Sequence, residues 1–419
     1  MAAWKSLWVI ALSRKRCHRE NMQSFFWLFD TCHSISITIL AHFPASTFIK
    51  QAEGYRKTTQ QLSQKFCFPQ FSPYWRTYFR QAGLFIWIGL FTLASLVSCT
   101  GLDTPRQVVI YASVDQVYAE PVLRQFEEHT GIKVKAVYDV EASKTTGLVN
   151  RLIAEKDRPL ADVFWSGEFA QTILLKQRGV LIPYHSPNAV DIPKAFKDPE
   201  GYWTGFGGRA RILLVNTSQL PDSLWPNSIY DMLDENYSAG RIGLAYPLFG
   251  TTATHAAALY AYLGPDRARI FFQALADRGV SVVDGNSVVK ERVANGEWIF
   301  GLTDTDDACK AIQRGAPVKV IFPDQGTEQM GTLVIPNTVA LVAGGPQPSE
   351  GQALVDFLLS RPVEEMLVES GWIQFPLRQV DTKPICYNVT NIKTMPLNLE
   401  QVFEQIETAK KELAEIILH

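Results

Sequence analysis

Apolar and polar positions alternate along this chain in two registers, and the changes of register mark its elements. "QVVIYAS" (107–113) has the near-continuous apolar run of a buried strand. "DQVYAEPVLRQFEEHTG" follows with a helical period: Pro121 sits early, Val122, Leu123 and Phe126 share a face, and Gly131 is the stop. "IKVKAVYDV" alternates as a strand, "SKTTGLVNRLIAEKD" returns to the helical period, and "ADVFWSG" is a strand before the helix "EFAQTILLKQRG", which ends at Gly179. Strand–helix alternation of this kind predicts an α/β lobe with a largely parallel sheet. In such sheets ligands meet the loops at the carboxyl ends of strands. Here those loops are Ser113 to Asp115, Glu141 to Thr145 (with Ser143), and Ser166 to Glu168.

"RARILLVNTSQLP" (209–221) reads as an apolar strand leaving that lobe, and a second α/β block follows it. "GTLVIPNTVALVAGG" (331–345) is a further extended passage, and "EGQALVDFLLSRPVEEMLVESG" is helical. A last helix, about 397–418, puts Leu399, Val402, Phe403, Ile406, Leu413 and Ile417 on one face, which predicts a packing stripe. No repeat or low-complexity tract is present.

At 419 residues, 47% hydrophobic and 20% charged, the chain is globular and long enough for two lobes. The overall charge of −2 conceals an uneven distribution. Of 40 Lys/Arg and 42 Asp/Glu, 11 and 3 fall in residues 1–80 and none in 81–98, leaving 29 and 39 from Cys99 onward. A body with ten excess acids is a poor partner for nucleic acid. Between the halves lies "RQAGLFIWIGLFTLASLVSCTGLD". Arg76 and Arg80 precede an apolar run (83–98) that ends Leu96-Val97-Ser98-Cys99. A basic region, an apolar region and small residues at the cut are an export signal. The ending looks like a bacterial lipobox, which makes Cys99 the lipidated first residue of the mature chain; the alternative is a retained transmembrane anchor. Residues 1–82 are then an N-terminal extension, best explained by a start site placed upstream of the true signal. Beyond Cys99 only Cys309 and Cys386 remain, as one disulfide or two buried thiols.

"VVIYASVDQVYAEPVLRQFEEHTGIKVKAVYD", "RPLADVFWSGEFAQTILLKQRGVLIPY", "GRARILLVN", "VANGEWIFGLTD" and "GTLVIPNTVALVAGG…ALVDFLLS" together resemble the extracellular solute-binding proteins (family 1) of ABC importers, over about residues 106–378. The group they are most similar to holds the ferric-iron-binding proteins and relatives that bind thiamine, organic anions or sugar phosphates. The resemblance implies a type II periplasmic-binding-protein fold: two lobes, each a mainly parallel sheet flanked by helices, closing on a ligand in the cleft between them. It places a first lobe at 106–211, a second at 212–330, a crossover and return at 331–378, and a C-terminal segment with the packing helix at 379–419. Iron-binding members use a His or Glu from the first lobe and a Tyr-Tyr pair from the second. The His position falls on Asp115, the first-lobe carboxylate at Gly167 with Glu168 one step away, and the tyrosine pair on Asp306 and Asp307. The phenolates are missing, yet oxygen donors remain at Asp115, Glu168, Asp306 and Asp307, and hard cations accept all-oxygen ligand sets.

"GLTDTDDA" (301–308) also has a structural explanation. Asp304 can be an N-cap with Asp306 and Asp307 in the first helical turn, where the helix dipole favours carboxylates. A cap needs one or two acids, and three are present. Gly250, Thr251 and Thr252 begin a helix whose free N–H groups suit an anion, and Asn286 and Ser287 offer the same. Arg209 and Arg211 can meet a ligand carboxylate or phosphate, or make salt bridges at the hinge. Trp165 can stack on an organic ligand or pack in the core, with Ser166 beside it; Lys144 and Thr145 are weaker candidates. GxSxG, HExxH, CxxC and Walker patterns are absent, and "GFGGRA" does not fit the dinucleotide fingerprint. His129, His185, His255 and His419 are scattered without metal-ligand spacing. The expectation is a monomeric, lipid-anchored solute receptor on the periplasmic side of a bacterial membrane, partnered by permease and ATPase subunits. It has no resident cofactor, and its cargo is a ferric ion or other hard cation with an accompanying anion. The alternatives are a small organic anion or phosphate ester, or a secreted enzyme with the same cleft.

Overall fold

Strand β1 (Gln107–Ser113) is the apolar run that opens the first lobe, paired in parallel with β2 (Lys133–Tyr138) and β3 (Val163–Ser166). The computed structural model describes residues 106–139 and 146–417. The apolar segment 83–98, Cys99, Ser143, Lys144, Thr145 and His419 lie outside them. Among the described residues no helix is long and apolar enough to cross a membrane. Helices α1 (Gln116–Thr130), α2 (Thr146–Ala154) and α3 (Ala170–Gln177) alternate with these strands, and the short β4 (Leu181–Ile182) follows. Gly131 closes α1 at φ 69°, a left-handed conformation that glycine adopts without strain.

The chain crosses between lobes on β5 (Thr204–Asn216). Its first half pairs antiparallel with β10 (Val334–Val342), and its second half with β8 (Phe300–Asp304) and β9 (Val318–Ile321). The sheet order is therefore β2-β1-β3-β10-β5-β8-β6-β7, with β6 (Ile242–Ala245) and β7 (Ser281–Val283) completing the parallel part of the second lobe. β5 starts five residues before the apolar pattern that announced it at Arg209. The cause is a glycine-rich entry that reads as a turn and is a tightly packed strand. A Cβ at Gly207, where φ is +54°, would lie 2.0 Å from Ile373, and one at Gly208 would lie 2.6 Å from the Ile335 carbonyl oxygen. Only glycine lets the backbones approach this closely.

Helices α4 (Gly250–Leu263), α5 (Pro265–Arg278), α6 (Asn286–Ala294) and α7 (Thr305–Gln313) clothe the second lobe; α8 (Pro348–Leu358) and α9 (Arg361–Glu369) return to the first. The last helix, α10 (Leu399–Ile417), buries Leu399, Val402, Ile406, Ala409 and Leu413, so the predicted stripe is a packing face. It lies on α4 and α5 and also touches α3. Cys309 of α7 and Cys386 of the C-terminal segment form a disulfide with Cα atoms 5.4 Å apart, which settles the choice between bond and thiols.

Candidate functional site

Between the lobes lies a cleft of about 660 Å³. It is walled by the loops after β1 and β3, the first turns of α4, α6 and α7, Arg209 on β5, and one face of α10. Ser113, Asp115, Glu168, Arg209, Gly250, Thr251, Asn286, Ser287, Asp304, Asp306 and Asp307 all line it, so residues spread over two hundred positions of sequence meet there.

Three helices present their N-termini to this space. The N-cap residues of α4, α6 and α7 are Phe249, Gly285 and Asp304, and none makes a side-chain cap bond. The free N–H groups and positive dipole ends of α4 and α6 carry no acidic residue in the first turn. They form the anion-favouring part of the wall. The start of α7 differs, because Asp306 and Asp307 occupy its first turn. One oxygen from each of Asp304, Asp306 and Asp307 lies within 4.8 Å of the other two.

Asp304 does not cap α7 as the sequence pattern suggests. Its carboxylate turns to Arg211, whose Nη1 lies 2.7 Å away with both side chains buried. Thr251 Oγ1 and Asn286 Nδ2 donate to its other oxygen at 2.5 and 3.0 Å, and Arg211 Nη1 also donates to Asn286 Oδ1 at 3.0 Å. A guanidinium wholly removed from water needs a paired counter-charge, and that need outweighs a cap. Arg211 is thereby structural. His255 faces the same group, and burial together with the Arg211 charge holds its imidazole well below the usual range, in the neutral form.

Arg209 remains part of the cleft. Its Nη1 lies 3.5 Å from Asp306 Oδ2, and Asp306 above all, with Asp304, Asp307 and Asp115, raises its already high affinity for the proton. Asp306 Oδ1 is buried without a hydrogen-bond partner. Asp307 is pushed up to about 6 by burial and then by the charges of Asp306 and Asp304; Lys310 and Lys290 oppose the shift. Lys290 Nζ stands 3.9 Å away, too far to neutralise it. Of the acids at the start of α7, Asp307 is thus the one whose ionised form the surroundings disfavour.

In the first lobe Glu168 is engaged locally. Its two oxygens accept the backbone N–H groups of Ala170 and Gln171 at 3.0 and 3.1 Å, closing the start of α3, while burial raises its pKa. That use makes it a weaker cation ligand than its position in the sequence implies. Ser113 donates to Asp139 at 2.8 Å from the cleft floor. Trp165, Ser166 and Thr252 do not line the cleft. Trp165 is fully buried between Phe206 and Trp372, Ser166 accepts the N–H of Glu168 at 3.3 Å, and Thr252 faces the Arg211 network. The apolar strand that carries Trp165 turns it inward, where its indole adds more to packing than it would at the surface. His129 is an exposed helix residue bonded to the Gln125 carbonyl.

Some cleft residues belong to no sequence motif. Tyr118 and Trp372 stack at 6.0 Å with 26° between their planes, and Phe249, 72% exposed, lines the same cleft. Tyr118 follows Asp115 by three positions on α1, a helical spacing that could have flagged it. Lys310, Gln313, Ile406 and Lys410 also line the wall.

Comparison with known proteins agrees with this architecture. Residues 158–388 match the family model described as bacterial extracellular solute-binding protein. Iron uptake protein A1 of Synechocystis is 25% identical over 291 residues, covering 66% of this chain and 78% of its own. A protein of Sinorhizobium fredii described as a probable ABC transporter periplasmic-binding protein is 30% identical over 217 residues, 50% of this chain and 59% of its own. The ferric binding protein from Campylobacter jejuni superposes with a TM-score of 0.65 at 22% identity, covering 74% of this chain and 99% of that one. A two-lobed α/β body, a charged cleft at the strand ends and a family match over more than half its length identify this chain as a member of the bacterial extracellular solute-binding proteins.

Proposed function

We propose that this cleft captures a hard cation, a ferric ion foremost, together with an accompanying anion. The lobe of residues 106–211 and 331–378 and the lobe of 212–330 close over the pair. The observation that carries this reading is the crowding of Asp306 and Asp307, beside the acid-free helix starts of α4 and α6. A cation between the carboxylates relieves their repulsion, and free N–H groups hold its counter-anion. Asp115 faces the same space from the first lobe. Ligand contacts from both lobes favour the closed state, which a permease can recognise. In this reading the protein is a monomeric binding protein, not an enzyme. Lipid on Cys99 holds it at the periplasmic face of the membrane, where it serves the permease and ATPase subunits of an ABC importer.

A second reading has one observation in its favour. Arg209 already places a fixed cation 3.5 Å from Asp306, and the Tyr118–Trp372 stack offers a flat apolar wall. Both suit a small organic solute that carries an amine and a phosphate or carboxylate. Calorimetric titration with ferric citrate and, separately, with an aminoalkyl phosphonate decides between them. Ferric citrate binding that Asp306→Asn and Asp307→Asn each weaken supports the first reading. Binding of the phosphonate alone supports the second, and unaltered affinity in both variants overturns the site.

A further inference from the structure

The helix that closes the chain lies beyond the segment matched by the family model, yet it forms part of the cleft wall. Ile406 and Lys410, one turn apart on α10, share the cleft with Ala170 and Gln171 of α3 and with Ala253 and Thr254 of α4. The helix is fastened on both sides. Val402, Ile406, Ala409 and Leu413 are buried, Tyr260 of α4 donates to Glu412 at 2.9 Å, and Glu400 accepts Lys176 Nζ of α3 at 2.6 Å. Lys410 therefore enters the cleft from a rigid support. Its own partner is weak: Glu407, 3.2 Å away on the same helix, is 87% exposed. An ion pair that open to water contributes little and yields readily to a better acceptor. The Lys410 charge also reaches the buried Glu168, where it opposes the upward pKa shift that burial causes.

We propose that Lys410 is a specificity-determining residue of the binding site, supplying a mobile ammonium that selects solutes by their anionic part. Arg209 is held by Asp306, and Arg211 is locked in the interior. Two lysines line the cleft: Lys310 offsets the charge of Asp307 on its own helix, and Lys410, on a flexible four-carbon stem beside Ile406, is positioned to follow a phosphate or carboxylate oxygen as the lobes close. The start of α4, whose own first turn holds no acidic residue, lines the same cleft, so an oxyanion reaching both would meet N–H donors and an ammonium. This rests on the reading that the cleft takes an anion-bearing solute.

The test is titration of the folded full-length protein, and of Lys410→Ala, Lys410→Glu, Lys410→Arg and the exposed control Lys411→Ala, with ferric citrate and with sodium phosphate. The expected result is an affinity loss of about tenfold for the alanine variant and about a hundredfold for the glutamate variant. Lys410→Arg should retain affinity and Lys411→Ala should match the parent. Thermal melts show whether each variant is folded, and the arginine variant keeps the test open if alanine loosens the helix. Parent affinity in both Lys410→Ala and Lys410→Glu, with Asp307→Asn impaired, overturns this proposal and leaves the cleft reading intact. A parent protein that binds neither probe overturns both.

Discussion

Replacing Asp307 with Asn should make the protein more stable and less able to bind. Asp307 is 13% exposed and its pKa is raised from 3.8 to about 6, by burial first and then by the charges of Asp306 and Asp304. At pH 3 and below, folded and unfolded chains both hold the proton. As the pH rises, the unfolded chain releases it near 3.8 and the folded chain only near 6, so folding stability falls across that window. Above pH 6 the ionised carboxylate leaves the folded state short by roughly 2–3 kcal/mol, at 1.36 kcal/mol per pKa unit. Asp307→Asn keeps the shape and removes the charge. The melting temperature should therefore rise at pH 7 by roughly 4–10 °C and hardly change at pH 3.5. Binding should move the opposite way. A cation in the cleft needs the carboxylate ionised, so parental affinity for ferric citrate should drop about tenfold per pH unit below 6, and the variant should lose roughly 1–3 kcal/mol of binding at pH 7. Differential scanning calorimetry at pH 3.5, 5 and 7, with and without ferric citrate, reads both effects. A variant that melts lower than the parent at pH 7 would refute the reasoning, because it would make Asp307 a stabilising residue of α7.

Three further outcomes are expected. Asp304→Asn leaves the buried Arg211 guanidinium without its counter-charge, so chemical denaturation should show a loss of about 3–5 kcal/mol; parental stability would mean the pair is dispensable. Cys386→Ala opens a crosslink between residues 77 apart, and reductant on the parent should match it, with a loss of about 4 kcal/mol; a melt insensitive to reductant would count against this. Cys99→Ala should release the protein from the membrane fraction, and intact mass of the parent should begin at Cys99; a chain retaining residues 1–98 would contradict the lipid anchor.

The periodic segments of the sequence carried most of the architecture. β1, β3 and the stripe of α10 are visible because one buried face imposes a period that local sequence must obey. The entry to β5 was not, since Gly208 is demanded by the distant backbone at Ile335 and Pro336, Gly207 by the Ile373 side chain, and Gly205 by the Phe196 carbonyl oxygen. The site was legible in part for the same reason. Loops at strand ends and first turns of helices are local signals, and they located Asp115, Gly250, Asn286 and Asp306. The partners those residues take are not local. Asp304 finds Arg211 across 93 positions, and this pairing separates a structural acid from two candidates for binding. Lys410 was hidden inside a packing stripe, because i and i+4 positions look alike whether the neighbour is a core or a cleft.

The lobes are joined through β5, a hydrogen-bonded strand, and not through a slack loop. Bending it to bring the lobes together works against a ladder of backbone bonds that includes the glycine stretch at 205–208 and its partners on β10. The stiffness of that ladder enters the apparent affinity directly, because the energy of closing is subtracted from the energy of contact. Substitutions there can retune how scarce a solute the protein retrieves while leaving untouched every group that recognises it. These few residues can thus set a retrieval threshold that is independent of the groups that choose the cargo.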